Sequence, residues 1–480
     1  MPFAKITDVD LAHFRSILTD ARVLTDEEHI ARCSRDETED FRHPPEVVLQ
    51  PQSADEISAI LRHCNARNIP VTPRGAGTGL SGGALALHGG VSLDMRRMNR
   101  ILHLDTRNFQ VTVEPGIITH DLQESVREAG LFYPPDPASK GSSFIGGNVS
   151  ENSGGPKALK YGVVKDYVLN LQAVLPSGDI IWTGASTLKN STGYNLTQLL
   201  VGSEGTLAVI TQIVLRLIPA VPHDLTLLVP FRSAEAACEA VNSIFLAGIS
   251  PSALEFMERD AIEWAAHYTG ASVDLPEDIQ AHLLIELDGP DMERLYVEAE
   301  AVGEAVSRFD IGEILLADTA DQKAMLWALR RKVGEAVKSH SVYKEIDTVV
   351  PRAELATLLR HVKEIGAQHG FRSVCYGHAG DGNLHVNIIK ADMSAADWKE
   401  KLPVGVRQLF GEVIALGGTL SGEHGIGVIA KDYMDLAFAP AAMHMMRGIK
   451  QVFDPNGILN PGKIFPETTL STSTPHSIIL

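Results

Sequence analysis

Cysteine is scarce in this chain, with Cys33, Cys64, Cys238 and Cys375 the only four in 480 residues. They stand far apart and form no C-x-x-C pair, so neither a disulfide framework nor a set of iron–sulfur ligands is encoded. Positive charge is also short. With 42 Lys and Arg against 60 Asp and Glu the formal net charge is −18, and no segment gathers the cationic footprint that a nucleic acid requires. Arg330-Arg331-Lys332 is a local helical run. No apolar stretch reaches the ~18 residues of a membrane span. The opening MPFAKITDVDLAHF carries acids where a secretory leader needs an apolar run. The expectation is a cytoplasmic protein, peripheral to a membrane only through a partner.

What is present is the balance of a folded protein, 44 % hydrophobic and 21 % charged, in a chain too long for one core. In SADEISAILRHCNARN, Ser53 is placed to cap a helix with an acidic first turn and apolar Ile57, Ile60 and Leu61 on one face. IPVTPRG then reads as a buried strand, and further strands fit GGVSLDM, FQVTVEPG, NLQAVLPSG and GTLAVITQIVLRLIP, with a helix at THDLQESVREAG. Proline punctuates IPAVPHD between Pro219 and Pro222, and a domain boundary is expected there. Beyond it the order is strand LTLLVPF, helix SAEAACEAVNSIFLAG, strands ALEFM and HLLIELDG, helix MERLYVEAEAVGEAVSRF and strand GEILLA. That is the split βαβ pattern of an antiparallel sheet with helices on one face. Two helices, DQKAMLWALRRKVGEAVKSH and RAELATLLRHVKEIGAQHG, follow, and STSTPHSIIL at the end reads as a loose tail.

Three glycine-rich stretches adjoin strands. RGAGTGLSGGA contains G-x-G-x-x-G at Gly77, Gly79 and Gly82, but a dinucleotide fingerprint must open a helix, and GGALALHGGVSLDM offers none. A phosphate cradle of another geometry and a plain surface loop both remain. GGNVSENSGG reads as a second loop of bare backbone, and GSEGTL runs into the strand AVITQIV.

Together PRGAGTGLSGGA, PDPAS, IGGNVSENSGG, KYG, GYNLTQLLVGSEGTLAVIT and DPNGILNPGKIF resemble the FAD-binding domain of the vanillyl-alcohol oxidase superfamily, also called PCMH-type. The resemblance spans nearly the whole chain and retains the motif order. It implies an α+β flavoprotein with a PCMH-type FAD-binding domain over 1–220, a ferredoxin-like antiparallel-sheet cap over 221–445, and a segment over 446–480 returning to the flavin. FAD contacts are implied at Pro73, Arg74, Gly75, Ala76, Gly77, Thr78, Gly79, Ser81 and Gly82. Further contacts are implied at Pro137 and Ser139, at Gly146, Gly147, Asn148, Asn152, Gly154 and Gly155, at Glu204, Gly205 and Ile210, and at Asn460. Where some relatives attach flavin through histidine this chain has Thr78, so non-covalent FAD is expected.

VCYGHAGDGNLHVN sets His378 and His385 seven residues apart across a Gly-Asp-Gly turn. A regular strand would put them on opposite faces, and the turn is able to bring them together. Two imidazoles alone do not make a metal site. GGTLSGEHGIG adds Glu423 and His424 in a glycine frame, which reads either as a third ligand with a neighbouring base or as a solvated turn.

GHAGDGNLHVN and SGEHGIG resemble the paired signatures of the FAD-linked D-2-hydroxy acid dehydrogenases, a group holding the glycolate oxidase flavin subunit, D-lactate dehydrogenase and D-2-hydroxyglutarate dehydrogenase. The resemblance implies a divalent metal, Zn²⁺ in most of the group, on His378, His385 and Glu423, with His424 as catalytic base. Arg330, Lys344 and Asn387 match substrate-contacting positions. The hydroxyglutarate branch has threonine four residues after that arginine; here Gly334 removes the hydroxyl and leaves room. The implied activity is oxidation of a small D-2-hydroxy acid, glycolate or D-lactate first and D-2-hydroxyglutarate as the alternative. Electrons would pass to a quinone, an electron-transfer flavoprotein or an iron–sulfur subunit, and a homodimer is compatible with this. A metal-dependent hydrolase using His378, His385 and Glu423 with a bound water, and an inert flavin-binding subunit, are the rival expectations.

Overall fold

The structure, a computed structural model, describes residues 2–38, 41–271, 273 and 275–467. The expected loose tail, residues 471–480, lies outside them. Near the start, Ser53 Oγ accepts the Glu56 amide at 3.2 Å and opens the helix Ala54–Arg67, which buries Ile57, Ile60 and Leu61 and ends on left-handed Asn68. The chain then enters the strand Val71–Arg74. This strand lies parallel to Val91–Asp94 at one edge of a four-stranded sheet completed by Val47–Leu49 and Val23–Leu24. A second sheet is antiparallel, in the order Ile101–Asp105, Gln110–Val113, Val209–Arg216, Val168–Val174, Ile180–Trp182. Far downstream the chain comes back: Val71 donates to Ile458 O at 2.8 Å and accepts from Asn460 N at 2.8 Å, so the returning segment docks beside the first glycine loop.

The remaining large sheet has seven strands, all antiparallel. Its first part runs His223–Phe231, helix Ala234–Leu246, Ala253–Glu258, Ala281–Gly289, helix Met292–Val306, Leu315–Ala317. In space those four strands take the order fourth, first, third, second, the ferredoxin-like arrangement. Arg372–Gly377, Asn383–Ile389 and Tyr343–Val349 extend it from the edge of Ala253–Glu258. One face is apolar: Leu254, Phe256, Ile285, Leu287, Cys375, Leu384, Val386 and Ile388 pack under the helices as the largest core. The other face alternates with it and carries polar residues, among them Glu255, Tyr376, His385, Asn387, Glu345 and Asp347. That polar row is the ground of the site.

Two expectations are corrected. Residues 145–151 of the second glycine stretch are not bare loop but a helix, Ile145–Glu151, ending on left-handed Asn152 at φ +56°. Gly146 lets that helix approach Pro115, whose main-chain oxygen accepts the Gly146 amide at 2.7 Å and where a side chain would clash. The stretch DQKAMLWALRRKVGEAVKSH is two helices, Ala320–Arg331 and Val333–His340, broken at Lys332. The four cysteines are buried free thiols. Among the described residues no helix is long and apolar enough to cross a membrane.

Candidate active site

The glycine loops meet around one cavity. Of the expected cofactor residues, Pro73 to Gly79, Pro137, Ser139, Gly146, Gly147, Asn148, Glu204, Gly205 and Ile210 line it. Glu423 and His424 line the same cavity, so the acid–imidazole pair of the cap segment faces the glycine loops.

Six expected contacts stand back from it. Ser81 O accepts the Val428 amide at 2.8 Å, and Gly82, at φ +79°, leaves no room for a side chain against Val428. Asn152 Oδ1 accepts the Lys165 amide at 2.9 Å, Gly154 abuts Glu423, and Gly155 abuts the Asp136 carbonyl. Asn460 Nδ2 donates to Gly83 O at 3.0 Å and to Glu204 O at 2.8 Å. These residues hold the loops to each other. Arg74 has a comparable task, its Nη2 donating to Arg35 O at 2.8 Å. Glu204 both lines the cavity and ties it to the cap: its two oxygens accept the amides of Ile426 at 2.8 Å and Gly427 at 2.7 Å.

The two histidines converge as the turn permits. The strand Arg372–Gly377 ends before His378, a single 3-10 turn Ala379–Asp381 follows, and Gly382 at φ +83° starts the return. A Cβ at Gly382 would strike the Val350 carbonyl, so only glycine reverses the chain there. The two rings lie 5.5 Å apart at 81°. Both point Nε2 at one carboxylate oxygen: Glu423 Oε1 is 3.2 Å from His378 and 3.6 Å from His385. Each turns Nδ1 toward another acid. His378 Nδ1 lies 2.9 Å from both oxygens of Glu255, and His385 Nδ1 lies 3.6 Å from Glu345 Oε1. His424 stacks its ring on His385 at 5.1 Å and 19°.

Asp347 explains why the loop of Glu423 and His424 stays there. Its Oδ2 accepts Ser421 Oγ, Gly422 N and Glu423 N at 2.8 Å each and His424 N at 2.9 Å, while Oδ1 accepts Asn383 Nδ2 at 2.7 Å. One carboxylate thus binds both site loops. Burial opposes its charge, but His424, His385 and the amides of Glu423 and His424 outweigh that and hold its pKa far below the carboxylate range. A depressed folded-state pKa gives stability that is present above the unfolded value of about 4 and lost as pH falls below it. Asp347→Asn is therefore expected to lower stability at neutral pH by about 3 kcal/mol, the scale of one or two charge-assisted hydrogen bonds. It should also flatten the acid limb of the melting curve; thermal denaturation of both proteins between pH 7 and 3 checks this.

A family model described as FAD linked oxidases, C-terminal domain, matches residues 222–464, and one described as FAD binding domain matches 45–184. The chain belongs to the FAD-linked oxidases. Among relatives, this FAD-linked oxidase is 39 % identical to a D-lactate dehydrogenase of Anaerostipes hadrus, over 96 % of this chain and 98 % of the relative. It is also 39 % identical to the glycolate oxidase subunit GlcD of Bacillus subtilis (strain 168), over 90 % and 91 %. The solved structure of p-cresol methylhydroxylase with substrate bound superimposes with a TM-score of 0.79 at 16 % identity, over 96 % of this chain and 98 % of that one, a likeness of fold. The hydrolase expectation is set aside by the family.

The residues present fit FAD, which the family descriptions name, and the divalent cation that the motif resemblance implies. Backbone amides with no side chain in the way line the cavity where FAD would lie. For a divalent cation, ligand atoms of His378, His385 and Glu423 lie within 4.8 Å of one another. The backing of the two imidazoles by acids is the outer arrangement of metal-bound histidine. Burial disfavours a charged His378, yet Glu255 and Glu423 hold its pKa well above the usual value, so this spot favours positive charge. In contrast, burial and the neighbouring His424 push His385 down to about 3 and keep it neutral.

The substrate-contacting expectations divide. Arg330 is buried, with Nη2 2.5 Å from Glu255 Oε2, its guanidinium over the Tyr376 ring at 5.2 Å, and Nε without a hydrogen-bond partner among the described residues. Asn387 shares the polar face with His385, and its Nδ2 is likewise unpartnered among them. Lys344 pairs in register with Ile388 of the apolar face and Glu345 with Asn387 of the polar face, and both line a small second cavity that His424 also borders. The expected room beside Gly334 is also corrected, because a Cβ there would come within 3.1 Å of Tyr376 Oη. Glu255, Glu345 and Asp347 were not singled out from sequence. A signal existed for Glu255, an acid inside the apolar run ALEFM that a strand must bury with a partner.

Proposed function

We propose that this FAD-linked oxidase oxidises a D-2-hydroxy acid, glycolate or D-lactate, to the 2-oxo acid, with electrons leaving to a quinone, an electron-transfer flavoprotein or an iron–sulfur subunit. The observation that carries it is the placement of Glu423 and His424 on the wall of the cavity formed by the glycine loops, with His378 and His385 behind them. When bound, FAD supplies a hydride acceptor and a divalent cation, Zn²⁺, supplies Lewis-acid polarisation of the substrate hydroxyl. His378, His385 and Glu423 would hold the cation.

His424 takes the hydroxyl proton. Burial works against a charged ring, but Asp347, Glu345 and Glu423 outweigh it and raise its pKa, which stabilises the imidazolium that proton uptake creates. Arg330 and Asn387 hold the substrate carboxylate, with donor groups that lack protein partners among the described residues. We divide the chain into an FAD-binding part over 1–220, a substrate-binding part over 221–445 and a returning segment from 446. The change from one sheet system to the other after Pro219 and the docking of Leu459 beside Val71 support this.

The test is anaerobic titration of the purified protein with D- and L-2-hydroxy acids, following flavin absorbance before and after chelation. D-lactate or glycolate should bleach the flavin, and chelation should prevent it. A protein that refuses FAD, or a flavin bleached equally well without metal, would refute the respective part of the proposal. Preferential bleaching by D-2-hydroxyglutarate would replace the substrate assignment.

A further inference from the structure

We infer that Glu255 is a positioning residue that couples the metal triad to the carboxylate-binding arginine; the inference rests on the function proposed above. Glu255 is fully buried in the centre of the strand Ala253–Glu258, between Leu254 and Phe256 of the apolar face. A lone carboxylate would not persist there. It persists because two donor groups from other segments close on it: both oxygens lie 2.9 Å from His378 Nδ1, and Oε2 lies 2.5 Å from Arg330 Nη2. His378 then reaches Glu423 through Nε2 at 3.2 Å. Arg330, Glu255, His378 and Glu423 thus form a continuous chain.

Each link has a consequence. A carboxylate at Nδ1 fixes the proton on that nitrogen, leaving the Nε2 lone pair aimed at the cation position, and raises the basicity of the ligand. The same carboxylate holds one arm of the Arg330 fork and leaves Nε without a partner among the described residues, available to a substrate carboxylate. The acids behind His385 Nδ1 stand farther off, Glu345 at 3.6 Å and Asp347 at 3.8 Å, and it is Glu255 that pairs with Arg330. Losing the Glu255 charge should therefore disturb two functions at once, the affinity for metal and the grip on the substrate.

The experiment uses the full-length flavoprotein, stripped of metal by chelator dialysis and titrated with Zn²⁺ against a chromophoric chelator, as wild type, Glu255→Gln and Glu255→Asp. KM for D-lactate is measured in parallel, and flavin absorbance reports the fold. In Glu255→Gln the Zn²⁺ dissociation constant is expected to rise about 10- to 100-fold, with KM raised too and FAD content unchanged. Glu255→Asp, which keeps the charge but retracts it, should show a smaller rise in both. A flavin-bound Glu255→Gln with Zn²⁺ affinity within about threefold of wild type, outside the range expected for an outer-shell partner, would overturn the inference. Should that variant lose its flavin, Glu255→Asp decides by the same comparison; if neither holds flavin, Glu255 serves folding and the inference falls. A wild type that binds no Zn²⁺ would instead refute the metal part of the proposed function.

Discussion

Replacing His424 with alanine is expected to slow flavin reduction by D-lactate about 10³-fold, within the range by which a positioned general base accelerates proton transfer, while FAD and metal remain bound. The structure gives a reason to expect so clean a separation. The loop carrying His424 is fastened through backbone amides: Gly422, Glu423 and His424 all donate to Asp347 Oδ2, and Ile426 and Gly427 to Glu204. None of these bonds uses the imidazole. The ring stacks on His385, which is separately anchored in the strand Asn383–Ile389, and lies near Glu345 of the neighbouring strand Tyr343–Val349. Removing the ring should therefore leave Glu423 and both other histidines in place. Stopped-flow reduction under anaerobic conditions, with metal and flavin content determined on the same sample, checks this. A rate within about tenfold of wild type, below the effect of a lost general base, would show that another group takes the proton.

The second large effect is expected from His378→Ala. That substitution removes an imidazole held between Glu255 and Glu423, leaving a buried and a partly exposed acid without the group that separates them. Metal affinity should fall by more than the ~10- to 100-fold associated with an outer partner, since a ligand itself is lost. Flavin reduction should fall by about 10³-fold if the cation contributes the several kcal/mol of charge stabilisation that such ions supply. Zn²⁺ content by elemental analysis and the anaerobic reduction rate are the two measurements. The comparison with His424→Ala is informative: one variant should keep metal and lose rate, the other should lose both. Equal metal content in His378→Ala and wild type would move the cation to other residues. The buried thiols are no rival ligands by geometry, because the cation-sized clusters among the described residues are Glu345–His385–His424 and His378–His385–Glu423.

How much of this is legible without the fold varies by residue. The glycine-rich stretches and the two histidine-bearing signatures are contiguous, so their existence needs no knowledge of contacts. The helix Ile145–Glu151 is hidden, because glycine and asparagine disfavour a helix by intrinsic propensity. Packing of Gly146 on Pro115 overrides that preference. The break at Lys332 is hidden too, since the apolar periodicity continues across it from Leu326 and Trp327 to Val333 and Val337. Lys344 illustrates register most directly: shifting by one residue exchanges the faces of a strand. Only the pairing of Tyr343–Val349 with Asn383–Ile389 assigns Glu345, and not Lys344, to the polar face.

The order of motifs, the want of cluster and disulfide ligands, the alternation that makes the strands two-faced and the glycines that permit each reversal are all written in the linear chain. Each is a property of neighbouring residues and of their spacing. It took the folded molecule to set Glu255 between Arg330 and His378, to fasten both site loops on Asp347, and to tie Gly83 to Glu204 through Asn460. A buried charge must be neutralised by some partner, but which partner is set by the packing of segments distant in the chain, and no local pattern records it.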